Sequence, residues 1–351
     1  MLKDHYFLLF THGMMLKMAG LKGYIIKRLL LAPVLLIVIT MITFASASLA
    51  VGDPATLIFG GAINPEMQKG AHQDRDSLFE AMEAYEQVKE DLGLNHPIWI
   101  QYLIWLAHLA TGDFGTNWES GNPIVEEMLI LFPATLQLAI TALIFACSTG
   151  IIVGIISAIK HNQATDRVLV FVTLTLYSTP GYWLAFILIQ LIAIDMYSLH
   201  GGFITMGWRD NANPLGRLII PGVAMGIASA GFYARITRSS MLEVIRQDYI
   251  TTARSKGLAE KVVIYKHALK NALIPVVTVI GLSLAGLFGG SVIMETIFSW
   301  PGMGRYGYNA LLLRNYPVIM GVVLFSSSLL IFMNIVVDIA YAFLDPRIRY
   351  S

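Results

Sequence analysis

Few residues of the types that do chemistry stand here at spacings that would let them do it. Asp113-Phe114-Gly115 matches a kinase magnesium triad, but no glycine-rich loop or catalytic loop accompanies it. Gly302-Met303-Gly304-Arg305-Tyr306-Gly307 has the dinucleotide spacing G-x-G-x-x-G, which needs a strand before it and a helix after it. Long apolar runs flank it instead, so turn glycines in an irregular loop are expected. The 8 histidines include no pair at i, i+4, and the single cysteine, Cys147, excludes an internal disulfide and a multi-cysteine metal cluster. No Gly-Lys dipeptide occurs, so there is no Walker A motif. No catalytic, metal-ligating or cofactor-binding residue is therefore assigned.

The elements that carry these residues are written in the composition. Of 351 residues, 56% are hydrophobic and 13% charged, against about 25% charged in soluble domains. That excludes a soluble enzyme and a disordered chain, and a net charge of +1 gives no basic excess for nucleic acid. Six runs lack Asp, Glu, Lys and Arg: residues 29–52, 128–159, 168–194, 218–234, 271–294 and 315–337. A spanning helix needs about 20 apolar residues, and backbone groups in lipid must bond internally. The expectation is an all-α polytopic membrane protein with six transmembrane helices. A further uncharged run, 92–112, contains His96, Pro97, Gln101 and His108, and reads as a short interfacial or packed helix around 98–110. Pro33, Pro133, Pro180, Pro221 and Pro275 fall in or near span ends, and the Gly150/Gly154 and Gly222/Gly226 spacings read as ordinary packing.

Charge sorting sets the orientation. With six spans, 17 Lys and Arg fall on the side holding the N-terminus, 160–167, 235–270 and the C-terminal tail, and 7 on the other. The positive-inside rule puts both termini in the cytoplasm. Residues 53–127, between the first two spans, hold 13 acids and 3 basic residues. Leu78, Met82, Tyr85 and Val88 give the acidic stretch 80–91 one apolar stripe. A helical external segment is expected there, either a plain soluble loop or a docking surface. Asp338, the acid well inside a predicted span, should be paired. A structural pin to Arg235 or Arg238, at the end of the fourth span, is the expected use of it.

The densest chemistry is the basic loop, with 8 Lys and Arg in residues 235–270. Gly257 stands between two helical patterns and reads as a helix end and turn. The second piece, 260–271, reads as a short helix, and Pro275 marks its junction with the fifth span. Such a loop could reflect positive-inside bias alone, contact anionic lipid, or dock a soluble partner.

One family carries these residues in this order. Asp248-Tyr249-Ile250, then Thr252-Ala253-Arg254-Ser255-Lys256-Gly257, then Lys266-His267-Ala268-Leu269-Lys270-Asn271-Ala272-Leu273-Ile274-Pro275 resemble the coupling loop of bacterial ABC-transporter permeases of the dipeptide/oligopeptide/nickel family. Tyr24-Ile25-Ile26-Lys27-Arg28-Leu29, Gly112-Asp113-Phe114-Gly115, Phe132-Pro133-Ala134-Thr135-Leu136, Phe298-Ser299-Trp300-Pro301-Gly302-Met303-Gly304 and Asp345-Pro346-Arg347-Ile348 extend the resemblance from Tyr24 to Tyr350. One departure is that Thr251 stands where the general motif Glu-Ala-Ala-x-x-x-Gly has glutamate, as in the peptide subfamily.

The resemblance implies a type I ABC importer permease fold, and a first-permease (B-type) subunit in the bacterial cell (inner or plasma) membrane. It implies a second homologous permease, two ATPase subunits that bind the ATP and Mg, and an external binding protein delivering peptides. Thr251, Thr252, Ala253, Arg254, Ser255, Lys256, Gly257, Leu258 and Tyr265 would form the ATPase-coupling surface, with Gly257 permitting the turn, Arg254 and Lys256 giving polar contacts, and Leu258 and Tyr265 packing. The implied layout is an N-terminal cytoplasmic extension (1–23), the first span (24–52), the external segment (53–127), and a five-helix core (128–345) with the coupling loop at 241–270, then a tail (346–351). The alternatives are a nickel or other small-solute permease of the same family, or a secondary transporter.

Overall fold

The computed structural model describes residues 21–50, 90, 95–194 and 214–344. The acidic helix expected at 80–91 lies almost wholly outside them. The described chain is mostly helical. Helix α1 is Leu21–Ala50, α2 Ile98–Ala110, α3 Ile124–Ile159, α4 Ala164–Ser178 and α5 Gly181–Leu188, which a π-helical stretch Ile189–Ile194 extends. Helix α6 is Pro214–Ile245 and α7 Asp248–Ser255. One α turn (Glu260–Val262) and a π-helical stretch (Val263–Ala268) lead into α8, Leu269–Ile297. Helices α9 (Met303–Leu312) and α10 (Tyr316–Leu344) follow.

Five helical segments among the described residues are long and apolar enough to cross a membrane: Lys27–Leu49, Ile124–Ile159, Leu218–Ile245, Glu260–Gly281 and Tyr316–Val337. The run expected as one span at 168–194 is instead two helices bent by 105°, which make a sixth span if counted together. The cause is local. Pro180 disfavours helical backbone at the residue before it, and Thr179 is extended at φ −85, ψ 132. Pro275 behaves differently from expectation. The helix passes through it without a junction, from Glu260 to Ile297. Pro33, Pro133 and Pro221 also lie inside helices. A proline there removes one N–H bond, a loss that packed membrane helices absorb. Helix α2, at 13 residues, has no buried residue and is about 20 Å long, short of a span.

The described residues fall into two compact units. One holds those up to Ala32, those from Pro133 to Arg305 and those from Leu329 onward. Its spine is the contact between α3 and α6. A Cβ on Gly150 would stand 2.7 Å from the Ala230 carbonyl oxygen, and one on Gly154 2.6 Å from that of Ala234. Gly222 and Gly226 of α6 likewise lie against Thr141 and Ala142 of α3. These glycines are therefore sites of backbone approach, closer than the ordinary packing expected from their spacing. The contacts advance along both helices together, so α3 and α6 run parallel.

The other unit holds Pro33 to Phe132 and Tyr306 to Ser328. Here the Thr40 and Tyr102 hydroxyls share a 3.0 Å hydrogen bond, and the Phe44 ring meets those of Tyr102 and Trp105. Asp113 accepts the Gly115 N–H at 2.8 Å and pairs with His108 at 3.0 Å, so the apparent magnesium triad is a turn. Glu127 accepts hydrogen bonds from Asn117 (2.7 Å), Ser120 (2.6 Å) and Tyr306, closing the 111–123 loop onto the start of α3. Burial and the Glu127 bond push the Tyr306 phenol above its ordinary pKa.

Candidate functional site: the basic loop and its fastenings

The basic loop is a helix set on a packed base. Helix α6 ends at Ile245, and α7 begins at Asp248 after a turn through Arg246 and Gln247. Ile250 and Ala253, three residues apart, face inward. They join Ala158, Met241, Val263, Ile264, Ala268 and Ala272 in one buried apolar cluster. The end of α3, the end of α6, α7 and the start of α8's lead-in therefore share a core. Helix α7 stops at Ser255, and Gly257 takes φ +74, the left-handed conformation of a helix C-terminal turn, with its N–H on the Arg254 carbonyl at 2.9 Å.

This frame sorts the expected loop residues. Thr251, Thr252, Arg254, Ser255, Lys256, Gly257, Leu258 and Tyr265 are exposed, while Ala253 is buried in the base. The Thr252 and Ser255 hydroxyls bond back to the helix carbonyls of Asp248 and Thr251. Arg254 is already engaged: its guanidinium donates two bonds to Glu260, at 2.7 and 3.1 Å, bridging the Gly257 turn. That partner holds the Arg254 pKa above its ordinary value. An exposed pair of this kind is worth about 0.2–1 kcal/mol, so it orders the turn while leaving it openable. The sequence reading missed Glu260 and also Asn271, whose amide donates to the Tyr249 hydroxyl at 2.7 Å. With Leu258 and Tyr265, the exposed rings and side chains of Tyr249 and Val262 give the loop an apolar outer surface.

Beside the base of the loop lies an ion pair whose acid is buried and whose arginine is half-buried. Arg238 Nε and Nη2 donate to the two Asp166 oxygens at 2.8 and 2.9 Å. Asp166 also accepts the Asn162 N–H at 2.9 Å and the Ser157 hydroxyl, and is 3% exposed. The sequence reading paired Asp338 with Arg235 or Arg238. Asp338 lies in α10, and its side chain is outside the described residues. Arg235 places its guanidinium 5.8 Å from the centre of the Tyr177 ring.

A second buried carboxylate, also missed, closes the far end of α8. Glu295 is fully buried; it accepts the Thr135 hydroxyl at 2.8 Å and the Arg305 N–H at 2.9 Å, at the N-terminus of α9. The helix dipole favours a carboxylate there. Gly302 and Gly304 let the backbone press against it, where any Cβ would collide with Glu295. The apparent dinucleotide fingerprint is thus a helix start built round a protein carboxylate, and from Met303 it is regular helix where an irregular loop was expected. Trp300 locks the turn by donating its indole N–H to the Ala134 carbonyl at 2.8 Å. Among the described residues no group of three or more His, Cys, Asp or Glu could hold a metal ion.

A loop on a rigid base, set among apolar helices, suits a device that transmits force. The family model for the inner membrane component of binding-protein-dependent transport systems matches residues 150–350. The chain belongs to this family. It is 39% identical over 353 residues to a dipeptide transport system permease protein of Alkalihalophilus pseudofirmus, a match spanning 93% of this chain and 99% of that protein. It is 37% identical over 351 residues to the dipeptide permease protein of Escherichia coli K12, with the same coverage. A glutathione transport system permease protein of Salmonella typhimurium is 39% identical over 330 residues, 94% of this chain and 99% of its own length. An inward-facing structure of the MetNI methionine ABC transporter shares the fold, with TM-score 0.51 and 19% identity over 63% of this chain and 97% of that one. This inner-membrane transport component thus has its loop and both buried carboxylates inside the matched residues.

Proposed function

We propose that the chain is the permease subunit of an ATP-driven importer of short peptides, with six spans and both termini in the cytoplasm. The observation that carries this is identity of 37–39% with dipeptide and glutathione permeases over more than nine-tenths of the chain. The parallel course of α3 and α6 supports the topology, since two helices crossing in one direction need a single return, here the bent pair α4 and α5. In that topology the basic loop 241–270 faces the cytoplasm, where the positive-inside rule places it. Its exposed face then meets an ATPase subunit, and ATP and Mg are bound by the two ATPases. A second permease completes the pathway, and an external binding protein delivers the peptide.

The physical task of the loop is to turn closure of the ATPases into rigid-body tilting of the membrane helices. Helix α7 sits on a core shared with α3, α6 and α8, so a push on it moves those helices together.

The test is uptake by proteoliposomes holding this chain with a partner permease, two ATPases and a binding protein from the same organism. ATP-dependent accumulation of labelled di- or tripeptides is expected. Accumulation of nickel instead, or ion-driven uptake by this chain alone, overturns the reading.

A further inference from the structure

We propose that Asp166 and Arg238 form the pin through which movement of the basic loop reaches α3 and α4, a role that rests on the importer reading above. Three stretches of chain meet at this carboxylate. Ser157 comes from the end of α3, Asn162 from the α3–α4 turn, and Arg238 from α6. The His161 ring also lies against Arg238, with Nδ1 3.2 Å from Nη2. Arg238 is one turn of helix before Met241, and Ser157 adjoins Ala158. Met241 and Ala158 both belong to the apolar cluster that carries α7. The pin therefore stands beside the base of the loop, where α6 passes α3.

Two features mark it as a positional device. First, the pairing is two-pronged, at 2.8 and 2.9 Å, so it sets the angle of the guanidinium as well as its distance. Sliding α6 by a residue along α4, which carries Asp166, breaks both bonds at once. Apolar packing has no such threshold. Second, the neighbouring Thr237 is fully buried against Gly154, and its hydroxyl has no hydrogen-bond partner among the described residues. The α3–α6 contact beside the pair is thus close but polar-poor, and the nearest polar link between the two helices runs from Arg238 of α6 through Asp166 of α4 to Ser157 of α3. Replacing both members of a buried pair by neutral groups is often harmless to stability, whereas removing one is not. That asymmetry separates positioning from folding.

The test uses the full reconstituted complex and the ratio of peptide imported to ATP hydrolysed. Arg238→Met alone leaves the buried Asp166 without its cation and should lower the melting temperature, and Asp166→Asn, which leaves the half-buried Arg238, should lower it less. The double variant Asp166→Asn/Arg238→Met should melt near the wild type and hydrolyse ATP at a similar rate, but import at least fivefold less peptide per ATP. Arg238→Lys keeps the charge but loses the fork, and should fall between, giving a readout even if the double variant folds poorly. A wild-type import ratio in a folded double variant, or in Arg238→Lys, overturns the pin. Wild-type complex that hydrolyses ATP without importing peptide instead overturns the importer reading, and the pin falls with it.

Discussion

Substitutions at Gly257 separate two reasons for having glycine at the turn of the basic loop. The residue sits at φ +74, and a Cβ built on it meets nothing within 4 Å. Within this chain, then, a side chain is opposed only by the backbone conformation. An L-residue held there costs about 1–2 kcal/mol. Asparagine tolerates the left-handed region best, and a β-branched residue worst. Since 1.4 kcal/mol corresponds to about tenfold in an equilibrium, alanine should reduce the fraction of loops holding the native turn by roughly 5- to 30-fold. Valine should reduce it further, and asparagine only slightly. The assay is peptide uptake per ATP in proteoliposomes, with ATPase rate recorded in parallel. The expected order of coupling is wild type, then Gly257→Asn, then Gly257→Ala, then Gly257→Val, with ATP hydrolysis outlasting uptake in the last. Full transport by Gly257→Val would refute the reasoning outright. If Gly257→Asn fails as badly as Gly257→Val, the glycine is there because the ATPase backbone touches it, and the conformational account is wrong.

Three further outcomes follow from the same geometry. Arg254→Glu sets two carboxylates together across the turn; because the pair is exposed, stability should change by less than about 1 kcal/mol, while coupling falls in the uptake assay. Gly154→Ala puts a methyl group 2.6 Å from the Ala234 carbonyl oxygen, in contact with backbone that has little room to move; a loss of about 1–3 kcal/mol is expected, read as a lower melting temperature in detergent. Glu295→Ala removes the acceptor for the Thr135 hydroxyl and the Arg305 N–H; at about 1–3 kcal/mol for each buried donor left without a partner, it should destabilise the permease far more than Glu295→Gln, which keeps one acceptor oxygen.

What was legible in the sequence divides along a physical line. Features set by neighbouring residues were readable: the end of α7 at Gly257 and the apolar runs that became α1, α3 and α10, though Ala253, expected on the outer surface of the loop, is buried. Pro180 was visible too, but not that its effect on Thr179 bends one run by 105°. Pro275 read as a break because a proline removes a helix donor in any sequence, whereas only tertiary packing shows that the helix survives the loss. Partners distant in the chain were not readable. Asp338, inside an apolar run, was marked as needing a base, and Arg235 or Arg238 was chosen for it. Asp166 stands in the polar stretch between Lys160 and Arg167 and looks solvated; it is buried because Arg238, 72 residues away, packs against it. For Glu295 a signal existed: an acid at the end of an apolar run, followed by Gly302 and Gly304, outlines a carboxylate received by a helix start.

The charges of this chain fall into two mechanical kinds. Asp166 and Glu295 are buried, and each takes a backbone N–H together with side-chain donors. In surroundings of low dielectric a carboxylate is tolerable only with its partners complete, so such a site is all or nothing and moves as one block. Arg254 and Glu260 are paired in water, where separating them costs about as much as thermal energy. If the chain transmits ATPase closure as proposed, it needs both kinds: joints that do not yield, so that helices tilt together, and contacts that exchange partners when an ATPase docks. On the importer reading Glu260 would surrender Arg254 to an acidic group on that partner, giving the loop a use for its arginine in a sequence lacking the usual glutamate at Thr251. The double variant Arg254→Glu/Glu260→Arg decides this. If Arg254 acts only as a brace, the exchanged pair couples fully. If Arg254 is handed over, the exchanged pair folds as well as the wild type but couples poorly until the matching acid on the ATPase is reversed too.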